Sequence, residues 1–216
     1  MRGLLPALNA EGARLSQTLL PGEFFLESPS ETGWYIVETE RRRVAVAPPY
    51  PIRAAAAGDD LAPLARELDE VRVSAVILVR LGRYAVGVFE GTLLVSSKVD
   101  ARYVGGQHKA GGWSQKRFVR IREKQARELF DKVCLVAQEK LTPYEDRIER
   151  LWLGGDEHVL NGFRDRCPWV ERFAGRIAER RLATPKPDLA GLKSSIEEAL
   201  SFLVLELPRE TTGAPP

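Results

Sequence analysis

The chain has 216 residues, of which 44% are apolar and 29% are charged, and its formal net charge is +2. This length allows one substantial core and a small appended unit. No apolar run reaches the roughly 18 residues that cross a bilayer, and the N-terminus lacks the apolar segment of a secretory signal. We therefore expect a cytoplasmic protein that is not inserted in a membrane. Two cysteines, Cys134 and Cys167, and two histidines, His108 and His158, lack the spacing of metal ligands, so we expect free thiols, no metal site and no cofactor.

Residues 1–71 are predicted to form a small N-terminal extension that contains β-strands. A helix is expected from Ala7 to Leu20, and two strands, Trp34–Val37 and Arg42–Ala47, are expected to form a hairpin. After an extended proline-rich segment, Asp59 or Asp60 can cap a helix that runs from Leu61 to about Val71.

From residue 73 onward the pattern predicts three sequential strands. The continuous apolar run SAVILVRL (74–81) is typical of a buried strand, YAVGVFE (84–90) returns after a turn at Gly82, and TLLVSSK (92–98) follows a turn at Gly91. These strands are expected to form an antiparallel meander.

The stretch from Lys98 to Arg127 carries nine Lys or Arg residues against Asp100 and Glu123, which leaves 23 basic and 28 acidic residues in the rest of the chain. A cationic patch on an otherwise acidic body predicts a polyanionic partner. Four glycines in this stretch indicate an exposed loop, and Ser114 can cap a long amphipathic helix that ends near Leu141.

Helical spacing places basic side chains on one stripe of that helix, namely Lys116, Arg120, Lys124 and Arg127. A second, apolar stripe is expected to anchor the helix in the core; it consists of Phe118, Ile121, Leu129, Val133 and Val136, with Arg122 also on this side. The helix should therefore present a basic ridge beside a glycine loop.

After the long helix, the chain is predicted to alternate between strands and helices. ERLWL (149–153) is expected to be a strand, Asp156 to cap a helix that ends near Arg164, and residues 170–182 to be helical at least in part. Leu189–Ser201 is predicted to be a helix and FLVLEL (202–207) a final strand.

This order predicts an α/β fold with a ribonuclease-H-like mixed sheet, in which an antiparallel meander is followed by α/β units. The expected boundaries are an extension at 1–71, a main domain at 72–207 and a disordered tail at 208–216. A two-metal nuclease of this architecture needs a carboxylate on the first strand, and SAVILVRL offers none, so nuclease chemistry is not expected.

The segment GGWSQKRFVRIR (111–122) resembles the GGQ region of eukaryotic and archaeal class I translation termination factors, whose middle domain has a ribonuclease-H-like core. The residues that match the family pattern without a gap are Gly111, Gly112, Ser114, Arg117, Phe118, Arg120 and Arg122. Trp113 stands where that family has its glutamine, and Gln115 follows two residues later. This displaced glutamine is similar to the Vms-like release factors (VLRF), above all their actinobacterial and chloroflexi branch, and the resemblance covers roughly Ser74–Leu207.

The resemblance implies a metal-independent peptidyl-tRNA hydrolase of the release-factor type. Its partners would be the large ribosomal subunit, ribosomal RNA and peptidyl-tRNA, with no DNA. Gln115 would orient the attacking water, Gly111 and Gly112 would let the backbone enter a narrow RNA cavity, and the phosphates and bases would be held by the residues of the loop and helix start: Lys109, Trp113, Ser114, Lys116, Arg117, Arg120, Lys124 and Arg127.

Several alternatives remain open at the level of sequence. A literal GGQ also occurs at Gly105–Gln107, so Gln107 is the alternative catalytic glutamine, although it lacks the basic helix start that follows Gln115. Trp113 could stack on a base or pack against the loop itself.

The same basic surface could also serve a ribosome-binding or RNA-binding module without catalysis, or a peptidyl-tRNA hydrolase that acts off the ribosome. Because nothing in the first 70 residues resembles a stop-codon-reading domain, we expect codon-independent action.

Overall fold

The structure is a computed structural model, and it describes residues 4–55, 60–102, 104, 105, 113–184 and 186–208. These residues divide into two compact units. Unit 1 is built from residues 1–70 and 200–216, and unit 2 from residues 71–199. Among the described residues, no helix combines the length and the apolar character that a membrane-spanning helix requires.

Unit 1 is an antiparallel sheet with two short helices and a short hairpin. Its elements are α1 (Leu4–Ala10), β1 (Arg14–Leu19), β2 (Phe24–Phe25), β3 (Ser28–Pro29), β4 (Trp34–Glu38), β5 (Arg43–Ala47), α2 (Ala62–Asp69) and β10 (Leu203–Leu207). The sheet order is β1-β4-β5-β10, and β2 pairs only with β3. Buried side chains from α1, α2 and the middle strands form its core, including Leu8, Leu64, Val37, Val44 and Val46.

The predicted hairpin of unit 1 is confirmed by β4 and β5, whereas the predicted helix from Ala7 to Leu20 is wrong. The helix ends at Ala10, Gly12 adopts a left-handed backbone with φ +64°, and the chain then pairs with β4 as β1. Gly12 permits this reversal because glycine has no Cβ. The helix α2 is confirmed, with Asp60 Oδ1 accepting a hydrogen bond from the amide of Ala62 at 3.0 Å.

The last strand, β10, pairs antiparallel with β5, from Leu203 opposite Ala47 to Leu207 opposite Arg43. The predicted main domain at 72–207 includes this strand, but its backbone hydrogen bonds lie in the sheet of unit 1. Residues 200–208 therefore group with the N-terminal elements. Residues 209–216, for which disorder was expected, lie outside the described residues.

Unit 2 contains a four-stranded mixed sheet of order β8-β7-β6-β9. The strands are β6 (Val73–Arg80), β7 (Arg83–Glu90), β8 (Leu93–Ala101) and β9 (Ile148–Gly154), and the helices are α3 (Trp113–Leu141), α4 (Glu157–Arg166) and α5 (Leu189–Ala199). The meander β6–β8 is antiparallel, and β9 pairs parallel with β6. The predicted meander, the predicted strand at 149–153 and the mixed α/β class are all confirmed.

Both faces of the sheet in unit 2 are covered, which explains why β6 reads as one apolar run. On one face Ala75, Ile77 and Val79 pack against buried residues of α3 and α4. On the other face α5 approaches so closely that a Cβ on Gly87 would lie 2.9 Å from Leu192 Cδ2. The helix α3 therefore packs against central strands that are buried on both faces.

The chain after α4 differs from the prediction of a helix over residues 170–182. Pro168–Phe173 forms a 3-10 helix, and Ile177 and Leu182 then form isolated parallel bridges to Leu151 and Gly154 of β9. Gly175, with φ +78°, allows the turn between these parts. Asp156 lies at the N-terminus of α4 as predicted, but its backbone carbonyl, not its side chain, accepts the helix amides.

The two cysteines form a disulfide, so the prediction of free thiols is wrong. Cys134 lies on α3 and Cys167 directly after α4, and their Cα atoms are 5.4 Å apart across 33 residues of sequence. Both side chains are buried among the residues that pack α3 against α4. The bond thus fastens the C-terminal half of α3 to the end of α4.

Candidate nucleic-acid interface

The helix α3 extends beyond the core on which it packs. It has 29 residues, which corresponds to about 44 Å at a rise of ~1.5 Å per residue. Its fully buried side chains begin only at Leu129 and continue to Leu141. Residues 117–121 are all exposed. The C-terminal half of α3 therefore anchors the helix, and the side chains at 117–121 in its N-terminal half face solvent.

The predicted basic stripe lies on this solvent-facing half. Of its residues, Arg120, Lys124 and Arg127 are exposed, as is Arg117 next to the stripe, whereas the side chain of Lys116 lies outside the described part of the structure. Lys124 Nζ lies 4.0 Å from Glu128 Oε1, one helical turn further along. For the three arginines no ion pair occurs among the described residues. Their guanidinium groups are therefore available to an anionic partner such as a phosphate backbone.

Two side chains that were expected to anchor α3 are instead exposed. Phe118 is 50% and Ile121 42% exposed, and Val119 between them is 49% exposed. They lie before Leu129, where the fully buried side chains of α3 begin, so this part of the apolar stripe is not enclosed in the core. Arg122 is half-buried, and its Nε is shielded from solvent with no hydrogen-bond partner among the residues that the structure describes. This half of α3 thus joins cations to apolar side chains, a combination that suits contacts with phosphates and bases.

One part of the predicted site lies on α3, and the other part lies outside the described residues. Trp113, Ser114, Gln115 and Lys116 form the first turn of α3, where the structure describes their backbone. The remaining predicted residues, Gln107, Lys109, Gly111 and Gly112, lie outside the described residues. Gln115 therefore stands at the start of the helix that also carries the exposed arginines.

The connection between β8 and α3 begins with contacts that sequence reasoning missed. The amide of Gly105 donates to Gln125 Oε1 at 2.9 Å, and Arg102 Nη2 lies 3.2 Å from Glu128 Oε2. Val104 packs against the core of unit 2. The signal in the sequence is slight: Gln125 and Glu128 are non-basic side chains three residues apart within a strongly basic segment.

Burial shifts the pKa values of two side chains on strands β7 and β9 of unit 2. Burial raises the pKa of Tyr84, on β7 beneath α3, with smaller contributions from Asp100 and Glu139. Burial lowers the pKa of Arg150, on β9, to about 10, which leaves this guanidinium charged at neutral pH. It lies 5.6 Å from the ring centroid of Trp152. No group of three or more His, Cys, Asp or Glu side chains that could hold a metal ion occurs in the part of the chain that the structure describes.

A family model described as the Actinobacteria/chloroflexi VLRF1 release factor matches residues 72–205, which is more than half of the chain. The chain belongs to this family. The match includes the whole of α3 and all four strands of the mixed sheet, so the VLRF1 region contains the candidate interface described above.

The curated relatives of this VLRF1 chain include two archaeal proteins named peptide chain release factor subunit 1. The one from Archaeoglobus fulgidus is 32% identical over 103 residues, which are 48% of this chain and 25% of the relative. The one from Aeropyrum pernix is 30% identical over 141 residues, which are 64% of this chain and 38% of the relative. The matched region thus spans well under half of each relative.

Two solved structures are similar to the VLRF1 chain at low sequence identity. The crystal structure of the archaeal translation termination factor aRF1 is 20% identical with a TM-score of 0.46, covering 81% of this chain and 49% of that one. The Vms1 mitochondrial localization core is 14% identical with a TM-score of 0.47, covering 82% of this chain and 77% of that one.

Proposed function

We propose that this VLRF1 chain is a codon-independent release factor that hydrolyses the ester between a nascent peptide and its tRNA on stalled or split ribosomes. The observation that carries the proposal is the exposed N-terminal half of α3, where basic side chains follow a first turn that contains Gln115. Membership of a release-factor family supports the same conclusion.

The proposed chemistry is transfer of the peptidyl acyl group to water. Water adds to the ester carbonyl carbon, the bond from that carbon to the ribose oxygen breaks, and a proton from the water ends on the ribose oxygen. A side-chain amide can orient this water by hydrogen bonding, although it is too weak a base to remove the proton. We assign this role to Gln115, with ribosomal RNA and tRNA completing the site. A backbone amide beside it would stabilise the oxyanion.

The binding part of the proposal rests on the exposed arginines. Arg117, Arg120 and Arg127 are exposed without ion-pair partners among the described residues, and guanidinium groups bind phosphates through paired hydrogen bonds. Phosphate contacts of this kind fix the position of a protein on RNA without reading a sequence. The proposed partner is therefore the RNA of the large ribosomal subunit in the cytoplasm.

The proposal is tested by peptide release from isolated large subunits that carry peptidyl-tRNA. The wild-type chain should release peptide, and Gln115→Ala should reduce the rate at least about a hundredfold, because the water loses its orienting group. Gln107→Ala is the matched variant, and it should keep most of the activity. Wild-type activity in Gln115→Ala together with loss in Gln107→Ala would move the catalytic role to Gln107. Release from free peptidyl-tRNA would indicate an enzyme that acts off the ribosome.

A second candidate function is favoured by Trp113, which stands where the termination factors have their glutamine. If the displaced amide of Gln115 cannot reach the ester, the chain would bind the large subunit without catalysis. Binding that survives Gln115→Ala, with no peptide released by the wild-type chain, would support this alternative. Binding in either case should weaken steeply with salt, because phosphate contacts displace counterions.

A further inference from the structure

The chain that leaves β8 is held to the rest of unit 2 at three described residues, Arg102, Val104 and Gly105, which we call the loop arm. The amide of Arg102 donates to the carbonyl of Gly82 at 2.9 Å, and its Nη2 lies 3.2 Å from Glu128 Oε2 on α3. Val104 is half-buried against the core. The loop arm therefore has a defined place before the chain enters the glycine-rich segment.

The last described contact of the loop arm is made by Gln125. Its Oε1 accepts the amide of Gly105 at 2.9 Å in a half-buried position. A glycine has more backbone freedom than any other residue, so a hydrogen bond at this amide removes conformations that would otherwise be available. Gln125 can supply the bond because α3 fixes its backbone, with fully buried core residues beginning one turn later at Leu129.

We infer that Gln125 is a positioning residue for peptide release: by holding Gly105, it fixes the described end of the connection that leaves β8 relative to α3, whose first turn contains Gln115. This inference rests on the proposed function. Gln125 lies ten residues after Gln115, which corresponds to about 15 Å along the helix axis at ~1.5 Å per residue. It acts through the loop arm and not at the reacting atoms.

The inference makes a specific kinetic prediction. Gln125→Met keeps the length and the helix-forming tendency of the side chain but removes the amide oxygen. Because one hydrogen bond is lost, the amide of Gly105 should exchange with solvent roughly five- to tenfold faster, and kcat for peptide release should fall by a similar factor. The substrate concentration for half-maximal rate should stay close to that of the wild type, since the arginines are unchanged.

Two further variants separate positioning from a general effect on stability. Gln125→Glu keeps an acceptor oxygen at the same place, so it should restore both Gly105 protection and kcat. Gln138→Met is the matched control, because Gln138 is another half-buried glutamine of α3 and its Nε2 contacts Cys134 Sγ at 3.6 Å, away from the loop arm. This control should change neither Gly105 exchange nor kcat.

The experiment measures amide exchange by NMR and steady-state peptide release on large subunits for all four proteins. Wild-type kcat in Gln125→Met, or an equal loss of kcat in Gln125→Met and Gln138→Met, would overturn the inference. So would loss of activity with unchanged Gly105 exchange. The wild-type chain could release no peptide while Gly105 exchange still depends on Gln125. That result would contradict the proposed function and the role of Gln125 in peptide release, but it would confirm the hydrogen bond between Gln125 and Gly105.

Discussion

Asp188 shows how a single carboxylate defines the start of a helix in this protein. Its Oδ1 accepts the amide of Gly191 at 2.8 Å, its backbone carbonyl accepts the amide of Leu192 at 2.8 Å, and its Oδ2 lies 3.0 Å from Lys186 Nζ. The amide of Gly191 and then the ammonium of Lys186 lower the pKa of Asp188 below its ordinary value. The ionised carboxylate is therefore the form that stabilises the N-terminus of α5.

We predict that Asp188→Ala lowers the thermal unfolding midpoint at neutral pH, because α5 loses its cap. Since the folded-state pKa is depressed, this stabilisation is present above about pH 4, the unfolded-state pKa of an aspartate, and is lost as the pH falls through the folded-state value. The difference between wild type and variant should therefore narrow in acid. Thermal melts at neutral and acidic pH measure it. Asp188→Asn, which keeps an acceptor oxygen, should recover most of the midpoint at neutral pH, and a wild-type midpoint in Asp188→Ala would contradict the prediction.

Residue types alone predicted some local features of the fold and not others. The turn residues Gly82 and Gly91 were identified because each separates two apolar runs, and both have positive φ in the structure. The disulfide was missed because 33 residues separate Cys134 from Cys167, and only the packing of α3 against α4 brings them together. The hydrogen bond from Gly105 to Gln125 was missed for the same reason. It joins the connection after β8 to α3, and their relative position cannot be predicted from local sequence patterns.

At the scale of elements, the disulfide joins two helices that pack on the same face of the sheet. In the chain-entropy description, closing a loop of 33 residues stabilises the folded state by about 3–4 kcal/mol. We expect reduction, or the double change Cys134→Ser and Cys167→Ser, to lower the free energy of unfolding by up to that amount. Denaturant unfolding with and without reductant measures it. Alkylation of both thiols in the native, unreduced protein would show instead that the cysteines are free.

The exposed half of α3 makes a separate prediction about salt. Charge reversal at Arg120 or Lys124 should weaken binding to large subunits, and each lost phosphate contact should reduce the slope of log K against log salt by about 0.7–0.9. Lys193→Glu on α5 is the matched control, because Lys193 is an exposed helical lysine outside the stripe. Titrations at several salt concentrations measure the slopes. An equal change in all three variants would indicate a general charge effect and not a defined interface.

The periodicity of α3 predicted its length and its basic stripe, but not where the core ends. Phe118 and Leu129 belong to the same apolar pattern, yet the first is 50% exposed and the second is fully buried. Periodicity describes which side of a helix is apolar, whereas burial depends on whether another element lies opposite. For this reason the sequence could not distinguish an anchoring half from a solvent-facing half.

At the scale of the whole molecule, β10 determines the composition of unit 1. Its Leu203–Leu207 backbone pairs with β5, and Phe202 beside it is buried among the residues of the unit 1 core. A chain truncated after Leu200 should therefore lose ordered structure in β4 and β5. Signals from β6 and β7 should persist, because their core lies in unit 2.

NMR spectra and limited proteolysis of the truncated chain test this prediction. Removal of residues 209–216 alone is the matched control, since it leaves β10 in place. Full protection of residues 34–47 in the chain that ends at Leu200 would show that unit 1 is stable without its fourth strand.

The overall topology was predicted in part, for reasons that can be stated. The meander and β9 were found because buried strands read as apolar runs bounded by glycines. The pairing of β10 with β5 was not predicted, because an apolar pattern identifies a strand but does not indicate the strand with which it pairs. The mixed basic and acidic pattern predicts that residues 170–182 are helical at least in part, whereas Ile177 and Leu182 bridge to β9 at the edge of the sheet.

The return of the chain to unit 1 also orders events during biosynthesis. Unit 2 is inserted between α2 and β10, so the ribosome translates all of unit 2 before β10 exists. Strands β1, β4 and β5 are therefore synthesised well before β10, and the edge of β5 stays unpaired until β10 leaves the ribosome. An exposed strand edge of this kind invites pairing with other chains. During synthesis the edge of β5 is therefore open to such pairing until β10 covers it.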